Sequence, residues 1–142
     1  RRPIDLRHVT RPAYIEPAEG TEPRQWLWLR AQAPIPSDDP ALHAAVLAYA
    51  SDYSQLEPVL RRHGTMFAAP GLRIASLDHA MWFHRAARAD QWLLVDVTSP
   101  CAQGGRGLGT SRIYTRDGVL VASVAQEGMI RLPRPDPAPV TS

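Results

Sequence analysis

The feature that most constrains this chain is a single helix-forming stretch set among strands. Ser37-Asp38-Asp39-Pro40 reads as a helix start: a Ser or Asp side chain caps free N–H groups, and proline suits the first helical turn. The spacing predicts a helix from Pro40 to about Arg62, with Leu42, Val46, Tyr49, Tyr53, Leu56 and Leu60 recurring as one apolar stripe. Pro58 predicts a break or kink near its end. Arg61-Arg62-His63 place positive charge at the C-terminus and Gly64 stops the helix. One long helix with one apolar stripe, among several strands, suits a sheet curled around it. The expected fold class is α+β: an antiparallel β-sheet wrapped around one long helix.

The strands follow in order. Ile4, Leu6 and Val9 mark a short edge strand, and Arg11 to Arg24, with Pro12, Pro17, Gly20 and Pro23, reads as a loop. Gln25 to Ala31 is a strand with Trp26, Trp28 and Arg30 on one face and Leu27, Leu29 and Ala31 on the other. Leu72 to Arg85 contains no Gly or Pro and is expected as one strand. Ile74, Ser76, Asp78, Ala80 and Trp82 would share one face, and Ala75, Leu77, His79, Met81 and Phe83 the other. Both faces are largely apolar with polar groups near the middle, so the strand is expected to be covered on both sides. Trp92 to Val97 is a strand ended by Ser99-Pro100. Ser111 to Thr115 and Val119 to Ile130 are strands joined by Thr115-Arg116-Asp117-Gly118, a hairpin turn with the Asp-Gly signal. The glycines of Gly104-Gly105-Arg106-Gly107-Leu108-Gly109 lack nucleotide-loop spacing and are followed by no helix. They read as sites of bulges or of close approach by a ligand.

Composition narrows the class. At 142 residues, with an apolar fraction of 44%, the chain reads as one globular domain over 1–132. Of its 14 prolines, Pro133, Pro135, Pro137 and Pro139 mark residues 133–142 as a disordered or extended tail. The net charge is +2 and the charges are scattered, without the basic stripe that nucleic-acid binding needs. No apolar run approaches the roughly 18 residues of a membrane span. Cys101 is the single cysteine, so no disulfide forms within the chain, which fits a reducing, cytoplasmic compartment. It reads as a small strand-end residue rather than a nucleophile. The first residue is Arg1 and no signal peptide is visible, so the chain reads as a fragment or processed form.

Three polar residues on three elements are candidates for chemistry. Asp52 lies one position off the helical stripe, on a flank with Ala41, Ala45 and Ala48. It is either a solvated helix residue or a half-buried carboxylate in need of partners. Ser76 sits near the middle of the 72–85 strand, on a largely apolar face. Gln126 shares an inward face with Leu120, Ala122, Val124 and Ile130, where it is either a core amide bonded to backbone or part of a site. Spacing alone does not bring the three together. His79, among Leu77, Met81 and Phe83, reads as a structural, hydrogen-bonded core histidine, and Asp78 and His84 likewise as structural.

Ser76-Leu77-Asp78-His79-Ala80-Met81-Trp82-Phe83-His84-Arg85 resembles the signature strand of the acyl-CoA thioesterase II family. The likeness continues through Tyr49-Ala50-Ser51-Asp52, Arg88 to Leu94, Gly104 to Leu108 and Asp117 to Gly128. It covers the chain from about Pro3 to Arg131, with the elements in the family's order. The resemblance implies a hotdog fold, and specifically the second copy of a double hotdog. It also implies that an Asp on the helix, a hydroxyl residue on the signature strand and a Gln on the last strand hold and activate a water. These correspond to Asp52, Ser76 and Gln126. The hydroxyl residue is commonly Thr in the family; Ser76 keeps the hydroxyl without the methyl that fixes its rotamer.

The implied function is hydrolysis of acyl-CoA to free fatty acid and coenzyme A, without an acyl-enzyme and without a cofactor or metal. Gly105, Arg106 and Gly107 are candidates for lining the pantetheine or phosphate path. The implied partners are the acyl-CoA substrate and a second hotdog domain, from the same or another chain, in a homo-oligomer. A competing expectation is a non-catalytic acyl-CoA-binding half that needs its partner domain. A hydratase, which would need a poised Asp and His pair on the helix, is the weakest. No GxSxG elbow is present, which argues against a serine-hydrolase route.

Overall fold

The computed structural model describes residues 2–18 and 20–132; the expected tail at 133–142 lies outside the described residues. The elements run β1 (Ile4–His8), β2 (Arg24–Ala31), α1 (Pro40–Ser51), α2 (Glu57–Arg62), β3 (Arg73–Ser76), β4 (Ala80–Phe83), β5 (Leu93–Gln103), β6 (Arg106–Tyr114) and β7 (Leu120–Arg131). All pairings are antiparallel, in the order β1-β2-β5-β6-β7-β3, with β4 following β3 along the same edge of β7. The α+β class and the sheet-around-helix architecture are as expected. The strand alternation does the work: Leu27, Leu29, Val95, Val97, Ile113, Ala122 and Val124 point inward and are buried with Leu47 and Ala50 of α1. A smaller cluster of Val59, Leu60 and Ile130 packs under α2. Among the described residues, no helix is long and apolar enough to cross a membrane.

The expected long helix is two shorter ones, broken between Ser51 and Glu57. Pro58 explains the break, one turn earlier than where it stands. Proline lacks an N–H and its ring clashes with the carbonyl four residues back, here Ser54, so that turn cannot be helical. Asp39 caps α1 by accepting from the Ala41 N–H at 2.9 Å. The buried face of α1 is His43, Leu47, Ala50 and Ser51, not the predicted stripe. Leu42 and Tyr49 are exposed, while α2 is buried on nearly every side.

The strand expected over 72–85 is also divided. Ser76 pairs with Gly128 and Ala80 with Ala125, so four steps on this side meet three on β7. That one-residue excess is a β-bulge, which re-aims the side chains beyond it. Ile74 and Ser76 face inward as expected. After the bulge Met81 and Phe83 do so, opposite buried Val124 and Ala122, and Trp82 turns outward. The backbone N–H of Glu127, freed from the ladder there, donates to Asp78 Oδ1 at 2.7 Å. The expectation of cover on both sides fails: β3 and β4 form an edge, with Leu77 and Trp82 each 55% exposed and Phe83 48%. The strand beginning near Trp92 continues to Gln103, with a bulge between Thr98 and Cys101 absorbing Pro100, so Cys101 lies within the strand and is exposed.

The glycines of β6 and β7 admit the chain's own helical segment. A Cβ at Gly109 would stand 2.0 Å from the Gln55 carbonyl oxygen, and one at Gly128 2.3 Å from Leu56 Cδ1. Without side chains on this floor, the segment between α1 and α2 lies directly on the sheet.

Candidate active site

The break between α1 and α2 brings Asp52 over β7. Asp52 is the C-cap of α1, where the helix dipole disfavours a negative charge. Helix stability therefore does not account for a carboxylate at this position. The glycine floor draws the following turn down, and Gln55 fixes it by donating to Ser111 Oγ at 2.7 Å and to the Ser51 carbonyl at 3.0 Å.

The three residues proposed from the sequence meet. The Gln126 side chain, 1% exposed, uses one amide nitrogen for two bonds. Nε2 donates to Asp52 Oδ1 at 2.8 Å and to Ser76 Oγ at 2.6 Å. The Ser76 hydroxyl donates to the same Asp52 oxygen across a longer 3.4 Å. The amide orientation follows from the partners: a flipped Gln126 would aim its carbonyl oxygen at a carboxylate. Gln126 Oε1 is buried and without a partner among the described residues. Asp52 and Ser76 are both exposed, so Asp52 has the exposure of the solvated alternative and the polar partners of the other. The site thus has a buried donor beneath and an open carboxylate and hydroxyl above.

His79 stands beside it. Its Nε2 is 2.8 Å from Ser51 Oγ, and the Ser51 hydroxyl lies 2.8 Å from the Ala48 carbonyl. A carbonyl only accepts, so the hydroxyl donates there and His79 Nε2–H donates to Ser51. The histidine is hydrogen-bonded, as read from the sequence, but exposed rather than in the core. Its partner Ser51 and the clamp through Gln55 and Ser111 were not foreseen, since each joins residues far apart in sequence with no spacing signal. His84 Nε2 lies 2.9 Å from Ser123 Oγ at the edge.

The glycine-rich turn lies farther along the same strands. Gly107 pairs with Gly128, and a Cβ on it would meet Val59 at 2.7 Å, so its inward side is filled by α2. Gly105, at φ +73°, carries the Arg131 guanidinium over it. Arg106 is exposed, with Nε 3.5 Å from Glu127 Oε1. Among the described residues, no group of three or more His, Cys, Asp or Glu side chains is placed to hold a metal ion.

Comparison with known proteins gives a consistent picture. Residues 2–129 match the family described as acyl-CoA thioesterase. The chain is 43% identical over 130 residues to acyl-coenzyme A thioesterase 8 of Mus musculus, covering 92% of this chain and 40% of that protein. It is 36% identical over 117 residues to acyl-CoA thioesterase 2 of Haemophilus influenzae, covering 81% and 41%. Among solved structures, an acyl-CoA thioesterase II from Mycobacterium marinum superposes with a TM-score of 0.77 at 46% identity, covering 92% of this chain and 50% of that one. The chain spans about 40% of the length of the curated relatives it matches.

Proposed function

The chain belongs to the acyl-CoA thioesterase family, and from that premise we propose that it hydrolyses acyl-CoA thioesters by direct attack of water. The observation that carries the reading is the single Gln126 nitrogen holding both the Asp52 carboxylate and the Ser76 hydroxyl. A carboxylate acceptor and a hydroxyl, fixed relative to one another and open on one side, can hold a water from two directions. In this reading Asp52 takes a proton from the water as general base, while Ser76 and Gln126 set the geometry. The water oxygen bonds to the thioester carbon, the carbon–sulfur bond breaks, and the proton passes to the departing thiolate. A thiolate leaves readily, so a positioned base suffices without an acyl-enzyme.

A second hotdog domain completes the site in this reading, from the same or another chain. The exposed apolar side chains of β3 and β4 support this, since an open edge strand is a template for pairing. The same feature favours the competing role, a half that binds acyl-CoA but acts only with its partner. A strict monomer on gel filtration would argue against a complete site.

The test is thiol release from a series of acyl-CoA esters by this chain and by Asp52→Asn. Loss of about 10²-fold or more in the variant is expected for removal of a general base. Equal activity in both proteins sinks the mechanism. No activity in either assigns an essential part to a second hotdog domain.

A further inference from the structure

At one end of the sheet the chain gathers three arginines, two of them directly opposite each other. Arg73 of β3 and Arg131 of β7 are direct cross-strand partners. Ile74 and Ile130 beside them point inward, so both arginines belong to the outer face. Like charges directly opposite one another on a sheet are destabilising. Among the described residues, neither is paired with a carboxylate. Arg131 Nη1 donates instead to the carbonyls of Gly105 and Ile130. Arg106, opposite Met129 on the next strand, stands diagonally from Arg131 and brings a third guanidinium. The nearby acid is Glu127, on Arg106 alone at 3.5 Å. Three guanidiniums against one carboxylate leave an excess of positive charge.

A cavity of about 410 Å³ opens at the same rim, lined by Val59, His63, Arg106, Ile130 and Arg131. His63 Nδ1 donates to the Val59 carbonyl at 2.8 Å, which turns the other ring nitrogen away from the helix. Cations beside an apolar wall suit a ligand with phosphates at one side and a flat base at the other. The spacing to the proposed reaction centre is set by strand rise. Arg73 is three residues from Ser76, about 10 Å, and Arg131 is five from Gln126, about 17 Å. An extended pantetheine arm, from thioester sulfur to first phosphorus, spans roughly 15 Å of single bonds.

We propose that Arg73, Arg131 and Arg106 seat the phosphates of the coenzyme A moiety, with its nucleotide at the rim cavity. The inference rests on the thioesterase reading, and it assigns that reading's substrate a handle distant from the bond that breaks. Guanidiniums recognise phosphate oxygens bidentately. Gly105 takes part by leaving room: a Cβ there would stand 1.6 Å from Arg131 Nη1.

The experiment compares acyl-CoA with the same acyl group on pantetheine, which lacks the phosphates. For Arg73→Gln and Arg131→Gln, the ratio of kcat/KM for acyl-CoA to that for acyl-pantetheine should fall about 10-fold each, through KM. Arg73→Lys, which keeps the charge, should restore most of the ratio. An unchanged ratio in both Gln variants overturns the proposal while leaving the thioesterase reading intact. If the unaltered chain hydrolyses neither ester, calorimetry with adenosine 3′,5′-bisphosphate decides. Binding that weakens about 10-fold in Arg73→Gln supports the seat, and absence of binding to the unaltered chain overturns it.

Discussion

The two flanks of β7 are built differently, and the candidate site lies on the line between them. On one flank β6 pairs with β7 continuously from Arg106 to Ile113, the glycine floor faces inward, and the segment from Gln55 to Leu60 is buried on it. On the other flank β3 and β4 pair with β7 in two short runs separated by a bulge, and their side chains are largely exposed. Gln126 takes its rigidity from the first flank and Ser76 its accessibility from the second. The difference teaches how a packed domain can present a precise hydrogen-bond donor at an open surface. It also separates residues whose loss should unfold the chain from residues whose loss should isolate it.

The sharpest way to break this comparison is at Gly109. Gly109→Val forces a side chain against the Gln55 carbonyl, which is backbone and cannot swing aside. It should cost about 3 kcal/mol of stability, the upper range for overpacking, read as a lowered urea midpoint. An unshifted midpoint would mean that the helical segment is free to lift, and that the first flank is not the rigid one.

A smaller effect lies at the start of α2. Glu57 is fully buried, with Oε1 accepting from the Ala13 N–H at 2.9 Å, and burial pushes its carboxyl above the ordinary 4.5. The unfolded chain therefore releases this proton first. The stabilising share of Glu57 is whole below pH 4.5 and is lost as pH rises through the raised folded value. Glu57→Gln, neutral throughout, should remove that decline, so its stability relative to the unaltered chain should improve between about pH 4 and pH 8. Parallel pH profiles of the urea midpoint for the two proteins would contradict it.

The smallest effect on stability belongs to the open flank. Leu77→Ser with Trp82→Ser should change the stability of the chain by no more than about 1 kcal/mol, since both side chains are more than half exposed already. The same pair should abolish self-association in sedimentation if the edge is where a second domain docks. A loss as large as that of Gly109→Val would erase the distinction between the flanks.

Much of this was legible in the sequence because it is periodic. The alternation at Gln25–Ala31 and from Ala122 to Ile130 assigned faces correctly and placed Gln126 inward, while the irregularity opposite Ile113 and Tyr114 puts Val121 rather than Leu120 in the core. The turn at Asp117-Gly118 needed only local chemistry, with Gly118 at φ +88°. What stayed hidden depended on partners distant in the chain. Pro58 announced a break, but its clash with a carbonyl one turn earlier put that break beside Asp52 and freed the carboxylate to reach β7. The bulge at Leu77–His79 has no Gly or Pro to mark it, because the side chain of Asp78 satisfies the stray backbone donor. The apolar stripe misled because α1 buries His43 and Ser51, whose polar atoms find partners, while Leu42 and Tyr49 face outward. The glycines of β6 foretold a close approach, and what approaches at Gly107 and Gly109 is the chain itself.

The bond between Gln126 and Asp52 joins residues 74 apart in sequence, and that separation has a consequence in time. The hairpin of β6 and β7 closes a loop of a few residues, an event on the scale of about 1–10 μs. Bringing Asp52 to the sheet requires a far longer loop to close, at a greater entropic cost. The amide of Gln126 is therefore set on its strand before the carboxylate it serves arrives. The pairing of Arg24 with Thr98 in β2 and β5 spans the same 74 residues, so loop length puts the β6–β7 hairpin first and has the rest of the sheet close together with the reactive group.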